Sequence, residues 1–157
     1  MIVLKTGREL KVMREACRIS AEALKLAGSA VEPGVTTAEL DKIAEKYILS
    51  QGAVPNFKNY NGYPASVCVS VNDEVVHGIP RKDRILMEGD IVSLDTGLIY
   101  KGYHSDAART YGVGEISEEA KLLIERTKQS FFEGIQMAVA GNHLYDISNR
   151  IDEYISQ

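Results

Sequence analysis

The stretch IVSLDTGLIYKGYHSDAAR, Ile91 to Arg109, constrains the fold more than any other segment. Two strand-forming runs meet at Tyr100-Lys101-Gly102-Tyr103, so the chain must reverse there into an antiparallel pair. Each run carries an aspartate, Asp95 and Asp106. If Lys101-Gly102 is a two-residue turn, Tyr100 pairs with Tyr103 and Gly97 with Asp106, which sets Asp95 diagonally from Asp106. A turn displaced towards Tyr100-Lys101 sets the two aspartates directly opposite each other. Either register puts both carboxylates on one face. Like charges that close repel unless a proton or a cation lies between them. A divalent metal is the usual resolution, and an open carboxylate site can generate hydroxide from water near neutral pH. The plainer alternative makes one aspartate a solvated turn residue.

The rest of the chain is organised around helices. Leu10, Met13, Cys17, Ile19, Ala23, Leu24 and Ala27 recur with helical spacing, predicting an amphipathic helix from about Glu9 to Ala30. Glu32-Pro33-Gly34 breaks it, and Thr36 or Thr37 can cap a second helix with an inward face of Leu40, Ile43, Ala44, Tyr47 and Ile48. Gly52 ends that helix. SVCVSVN, Ser66 to Asn72, alternates valines with Ser66, Cys68 and Ser70, the pattern of a strand with one polar face. Met87-Glu88-Gly89-Asp90 reads as the turn into the next strand, and a further strand runs from about Ser105 to Val113. Ser117 then caps a long helix expected to end near Ala140-Gly141, with Glu118, Glu119 and Glu125 towards its positive end. A shorter helix follows.

That last segment repeats an earlier one. In GVTTAELDKIAEKYILSQ and GNHLYDISNRIDEYISQ, Gly34 meets Gly141, Glu39 meets Asp146, Leu40 meets Ile147 and Tyr47 meets Tyr154. Two amphipathic helices after a glycine agree at some positions through periodicity alone. The other reading is a duplicated helix-helix-strands unit, since self-similarity at fixed spacing marks repeated architecture.

Composition narrows the function classes. The 157 residues carry a formal charge of −4 and no Lys/Arg-rich stretch, which gives a nucleic-acid partner no electrostatic support. Two cysteines, Cys17 and Cys68, are too few for a disulfide framework, and a reduced, cytoplasmic setting is expected. The opening MIVL run is too short for a signal-peptide core or a membrane span.

Asp95-Thr96-Gly97 is also how aspartic proteases present a catalytic carboxylate. Such enzymes are nearly all β, whereas helices flank the triplet here, and a second carboxylate on the adjacent strand would burden a proton-sharing dyad. His77, in NDEVVHGIP, is a candidate donor or acid/base group beside the strand face that carries Cys68. Tyr60 and Tyr63 in NYNGYP, with Phe57 upstream, offer rigid amphipathic walls. Ordinary roles are available to each: a surface histidine, core aromatics, and a cysteine packed within a strand.

Three motifs in order and in spacing, NYNGYPASVCVSVNDEVVHGIP, EGDIVSLDTG and GYHSDAARTYGVG, resemble those of bacterial-type methionine aminopeptidases, with similarity from about Leu4 to Gln157. The resemblance implies an α/β (α+β) pita-bread fold, built as two pseudo-symmetric halves around a dinuclear metal site. Residues 1–116 would form the first half and 117–157 the opening helices of a truncated second half. It implies removal of the initiator methionine from nascent polypeptides, near the ribosome exit region, with two divalent ions (Co, Mn, Fe or Zn). Asp95 would ligate one metal and Asp106 both, while His77 would hydrogen-bond the substrate near the scissile amide. Phe57, Tyr60, Tyr63 and Cys68 would line the methionine pocket. His104 matches no ligand of the family and is expected to face solvent. The family also uses a further His and two Glu from its second half. His143 is not that histidine, and AVAGN stands where Pro-Gly is usual. The expectation is impaired activity for this chain alone, and a half-fold surface suited to homodimers or swapped oligomers. A non-catalytic pita-bread binding module, or a proline-specific dipeptidase of the same fold, is the alternative.

Overall fold

The computed structural model describes residues 3–157 and divides into two compact units, Met1–Ile116 and Ser117–Gln157. Part of the MIVL run lies outside the described residues, and its remaining members, Val3 and Leu4, are exposed. No described helix is long and apolar enough to cross a membrane.

In the first unit, α1 (Gly7–Gly28) opens on a capping box: Glu9 N–H donates to the Thr6 hydroxyl, and the Glu9 carboxylate accepts from Thr6 N–H at 2.7 Å. Its buried stripe is Ala16, Ile19, Ser20, Ala23, Leu24 and Ala27. Leu10 and Cys17, both expected inside, are exposed. Small residues form most of the stripe, so the helix lies close against the sheet. Ser105 Oγ donates to Ala16 O at 3.1 Å, and Tyr111 Oη donates to Leu24 O at 3.1 Å. The helix ends at Gly28 rather than Ala30, and the Tyr111 ring occupies the space a side chain at Gly28 would need. Helix α2 (Thr37–Ser50) is capped by Thr36, buries Leu40, Ala44 and Ile48, and gives way at Gly52 in left-handed backbone (φ +70°).

The sheet is antiparallel. β1 (Val54–Pro55) and β2 (Val67–Val71) pair with different stretches of β3 (Ile91–Tyr100), and β4 (Tyr103–Gly112) pairs with β3 along its whole length. The Lys101-Gly102 turn has both residues left-handed, at φ 49° and 83°, as a two-residue hairpin of matching twist requires. That fixes the diagonal register: Gly97 pairs with Asp106 and Asp95 with Ala108. Val67, Val69, Val71, Val92, Leu94 and Leu98 join Ile19, Leu24, Leu40 and Ile48 in one core.

Strand β2 is buried on its polar face as well as its valine face. The 77–79 segment covers it: Gly78 N–H donates to Ser70 Oγ at 3.1 Å, and Val69 N–H donates to Gly78 O at 2.9 Å. A side chain at Gly78 would collide with the Val69 peptide.

In the second unit, α3 (Glu118–Ile135) starts from Ser117, whose hydroxyl accepts from Ala120 N–H at 3.1 Å. It ends five residues short of the expected Ala140, where Gly134 lets Ile151 of α4 (Leu144–Ile155) pack closely. The repeat reappears as local geometry. Gly34 and Gly141 have φ of +94° and +98°, and Thr36 N–H and His143 N–H donate to Glu39 and Asp146 at 2.8 and 2.7 Å.

Candidate functional site

Parity on β3 decides which side chains meet. Asp95 and Gly97 face one side of the sheet together with Cys68, Asp106 and His104, while Leu94, Thr96 and Leu98 face the core. The Asp-Thr-Gly triplet is therefore split between two faces. Thr96 is fully buried with Oγ1 unpartnered, and Gly97 leaves room for its neighbours: a Cβ there would lie 2.8 Å from Phe57 Cε1 and against the Asn56 amide.

A cavity of about 600 Å³ opens over this face, lined by Phe57, Tyr60, Tyr63, Cys68, His77, Asp95 and Asp106. The structure thus brings all seven sequence-predicted residues to one wall system. Asn61, Gly62, Pro64 and Ile79 also line it. The three from NYNGYP were within the quoted loop, but only the tyrosines drew attention by chemistry. His104 is exposed, in contact with Asn56 Nδ2 through its Nδ1 at 3.2 Å, and does not line the cavity.

The aromatic loop is held in a tight path by left-handed backbone at Asn59 and Asn61, with Asn59 N–H donating to Tyr63 O at 2.8 Å. Tyr63 Oη lies 3.1 Å from Val67 O and 2.9 Å from Gly78 O, either of which can accept its proton. That hydroxyl ties the aromatic loop to the segment that carries His77. His77 itself is left-handed at φ 59°, an uncommon conformation for a residue with a Cβ and one that recurs at functional sites.

Electrostatics single out Asp95. Its Oδ1 is buried and accepts no hydrogen bond. Burial first, then the neighbouring Asp106 charge, push its carboxyl above the usual aspartate range, and His77 acts in the opposite direction. Burial likewise raises the Cys68 thiol and the Tyr63 phenol. A divalent cation fits this donor set, because hard carboxylate oxygens suit it and it would relieve both the unpartnered oxygen and the repulsion. Among the described residues no group of three or more His, Cys, Asp and Glu could hold a metal, so Asp95 and Asp106 supply only part of a coordination sphere.

Residues 11–157 match Metallopeptidase family M24, and the chain belongs to that family and has its pita-bread fold. Within the family it is 54% identical over 155 residues to the methionine aminopeptidase of Clostridium acetobutylicum, a match covering 99% of this chain and 62% of that protein. The methionine aminopeptidase structure from Thermotoga maritima superposes with a TM-score of 0.96 at 39% identity, over 99% of this chain and 63% of that one. The Xaa-Pro dipeptidase of Bacillus anthracis gives a TM-score of 0.83 at 28% identity, over 98% of this chain and 41% of that one. Both measures put the chain nearer the aminopeptidases than this dipeptidase. Membership in a metallopeptidase family sets aside the aspartic-protease reading. The chain spans under two thirds of the length of these relatives.

Proposed function

We propose that this chain carries the methionine pocket and two of the metal-ligating carboxylates of a cytoplasmic methionine aminopeptidase, which removes the N-terminal methionine of nascent polypeptides. The observation that carries the reading is the buried, unpartnered Asp95 Oδ1 in a cavity with Asp106 and His77. Asp95 and Asp106 would hold divalent metal, which supplies Lewis-acid chemistry for amide hydrolysis when bound. Phe57, Tyr60, Tyr63 and Cys68 would exclude water around an unbranched thioether, which packs well against aromatic rings and sulfur. His77 would donate a hydrogen bond to the substrate near the scissile amide. A set of two carboxylates is too small for full coordination, so catalysis needs ligands beyond Asp95 and Asp106, and turnover by this chain alone is expected to be weak. The non-catalytic binding module differs from this reading in having no use for the carboxylates. Exposed Leu123, Phe131 and Ile155 in the second unit favour self-association of the isolated chain.

The test is release of methionine from a Met-Gly-Met peptide in Mn²⁺ or Co²⁺, with Asp95→Asn and Asp106→Asn beside the wild type. Metal binding that either substitution abolishes, with little turnover, supports the reading. Metal binding that both variants retain would overturn it.

A further inference from the structure

The aromatic loop that walls the cavity is gripped at both ends by one helix. Asp41 and Glu45 stand one turn apart on α2, so they share a face. Asp41 Oδ1 accepts the N–H of Ser66 at 2.8 Å and of Val67 at 2.9 Å, where the loop enters β2. Glu45 accepts from Lys58 Nζ, where the loop begins. Phe57 stands just before this clamped span, and Tyr60 and Tyr63 stand within it.

The helix is a firm base for such a grip. Leu40, Ala44 and Ile48 are fully buried. At its start Thr37 N–H donates to Arg84 O at 2.9 Å, and Arg81 N–H donates to Thr37 Oγ1 at 2.9 Å. Asp41 is costly where it stands, for it is half-buried and burial is the largest influence on its carboxyl, outweighing the two amide donors and raising its pKa. A hydrophobic contact would serve the core without that cost.

The connection runs on from Asp41 to the chemistry. It fixes the Val67 amide, and the carbonyl of Val67 is one of the two acceptors for Tyr63 Oη, the other being Gly78 O next to His77. Val67 also precedes Cys68, which pairs with Asp95 across the sheet. We propose that Asp41 is a positioning residue, which sets the height of the Tyr60–Tyr63 wall and the placement of His77 over the carboxylates, with Glu45–Lys58 as its counterpart at the other end of the loop. Its bearing on substrate rests on the methionine-pocket reading above. Its effect on the loop does not.

The experiment compares wild type, Asp41→Ala, Asp41→Asn and Lys58→Met by amide hydrogen exchange in the free protein and by L-methionine titration followed in ¹H–¹⁵N spectra. In Asp41→Ala, exchange should rise at least tenfold at Ser66, Val67 and Asn59, with little change along β3–β4 and α1. Asp41→Asn keeps an acceptor oxygen and should restore much of the protection. Lys58→Met should loosen Asn59 more than Val67. L-methionine affinity should fall several-fold in Asp41→Ala and recover in Asp41→Asn. Exchange rising in step across the whole unit marks Asp41 as generally structural and overturns the proposal, as does unchanged exchange at Asn59 and Val67. If wild type binds no L-methionine, the pocket reading fails, while the exchange pattern still decides the role of Asp41.

Discussion

Replacing Asp95 with Asn separates a metal ligand from a structural carboxylate, because the two roles predict opposite signs. In the metal-free protein the Asp95 charge is partly buried, its Oδ1 unpartnered, with Asp106 diagonal on the next strand. Diagonal cross-strand neighbours lie about 7–8 Å apart. At an effective dielectric near 20, two unit charges at that distance repel by about 2 kcal/mol. Asp106 is exposed, so solvent screening reduces the repulsion to about 1 kcal/mol. Asn has nearly the same shape but no charge, so it removes both the cost of burying the carboxylate and the repulsion from Asp106, and the repulsion sets a lower bound on the gain. The metal-free variant should therefore be more stable than wild type by at least about 1 kcal/mol, or at least about 2–4 °C in Tm for a chain of this size. At Mn²⁺ concentrations about 100 times its Kd, wild type gains about 2.7 kcal/mol, and the variant gains far less. Thermal melts in EDTA and in MnCl₂ should thus reverse the order of the two proteins. A variant less stable than wild type in EDTA, or one with the full Mn²⁺ gain, would refute the reasoning.

Gly97→Ala should lower stability by about 1–3 kcal/mol, because the new methyl meets Phe57 and Asn56 on the cavity floor. It should also weaken L-methionine binding, and calorimetry with titration checks both. Glu9→Gln tests the α1 capping box: donors on Thr6, then the Tyr103 hydroxyl, lower the Glu9 carboxyl from 4.5 to about 2. A lowered carboxylate contributes stability that is complete above its unfolded pKa and is lost as pH falls through its folded one. The Tm gap between wild type and Glu9→Gln should accordingly be full at neutral pH and close between pH 4.5 and about 2.

Local signals carried far into this molecule. The hairpin, the helix caps at Thr6 and Thr36 and the duplicated turn geometry at Gly34 and Gly141 follow from residues close in sequence. The face shared by Asp95 and Asp106 follows from strand parity. Long-range packing was hidden. Leu10 and Cys17 have the spacing of core residues, yet α1 buries the small stripe Ala16, Ser20, Ala23 and Ala27, which lets the helix lie against the sheet. The cover over the polar face of β2 has no local signal either, because nothing near Ser70 announces the 77–79 segment. Helix α3 ends at Ile135, next to the close approach of Ile151 to Gly134, a contact with no local signature. Asp41 was missed for a similar reason: only the fold brings its carboxylate to the Ser66 and Val67 amides.

The central claim is that Asp95 and Asp106 form the metal-binding part of the cavity, and Mn²⁺ titration followed by paramagnetic broadening of ¹H–¹⁵N signals tests it most directly. Broadening should begin at Cys68, His77, Asp95 and Asp106, and Asp106→Asn should sharply reduce it. Broadening centred on the acidic first turn of α3, at Glu118 and Glu119, and indifferent to the Asp106 substitution would contradict the account.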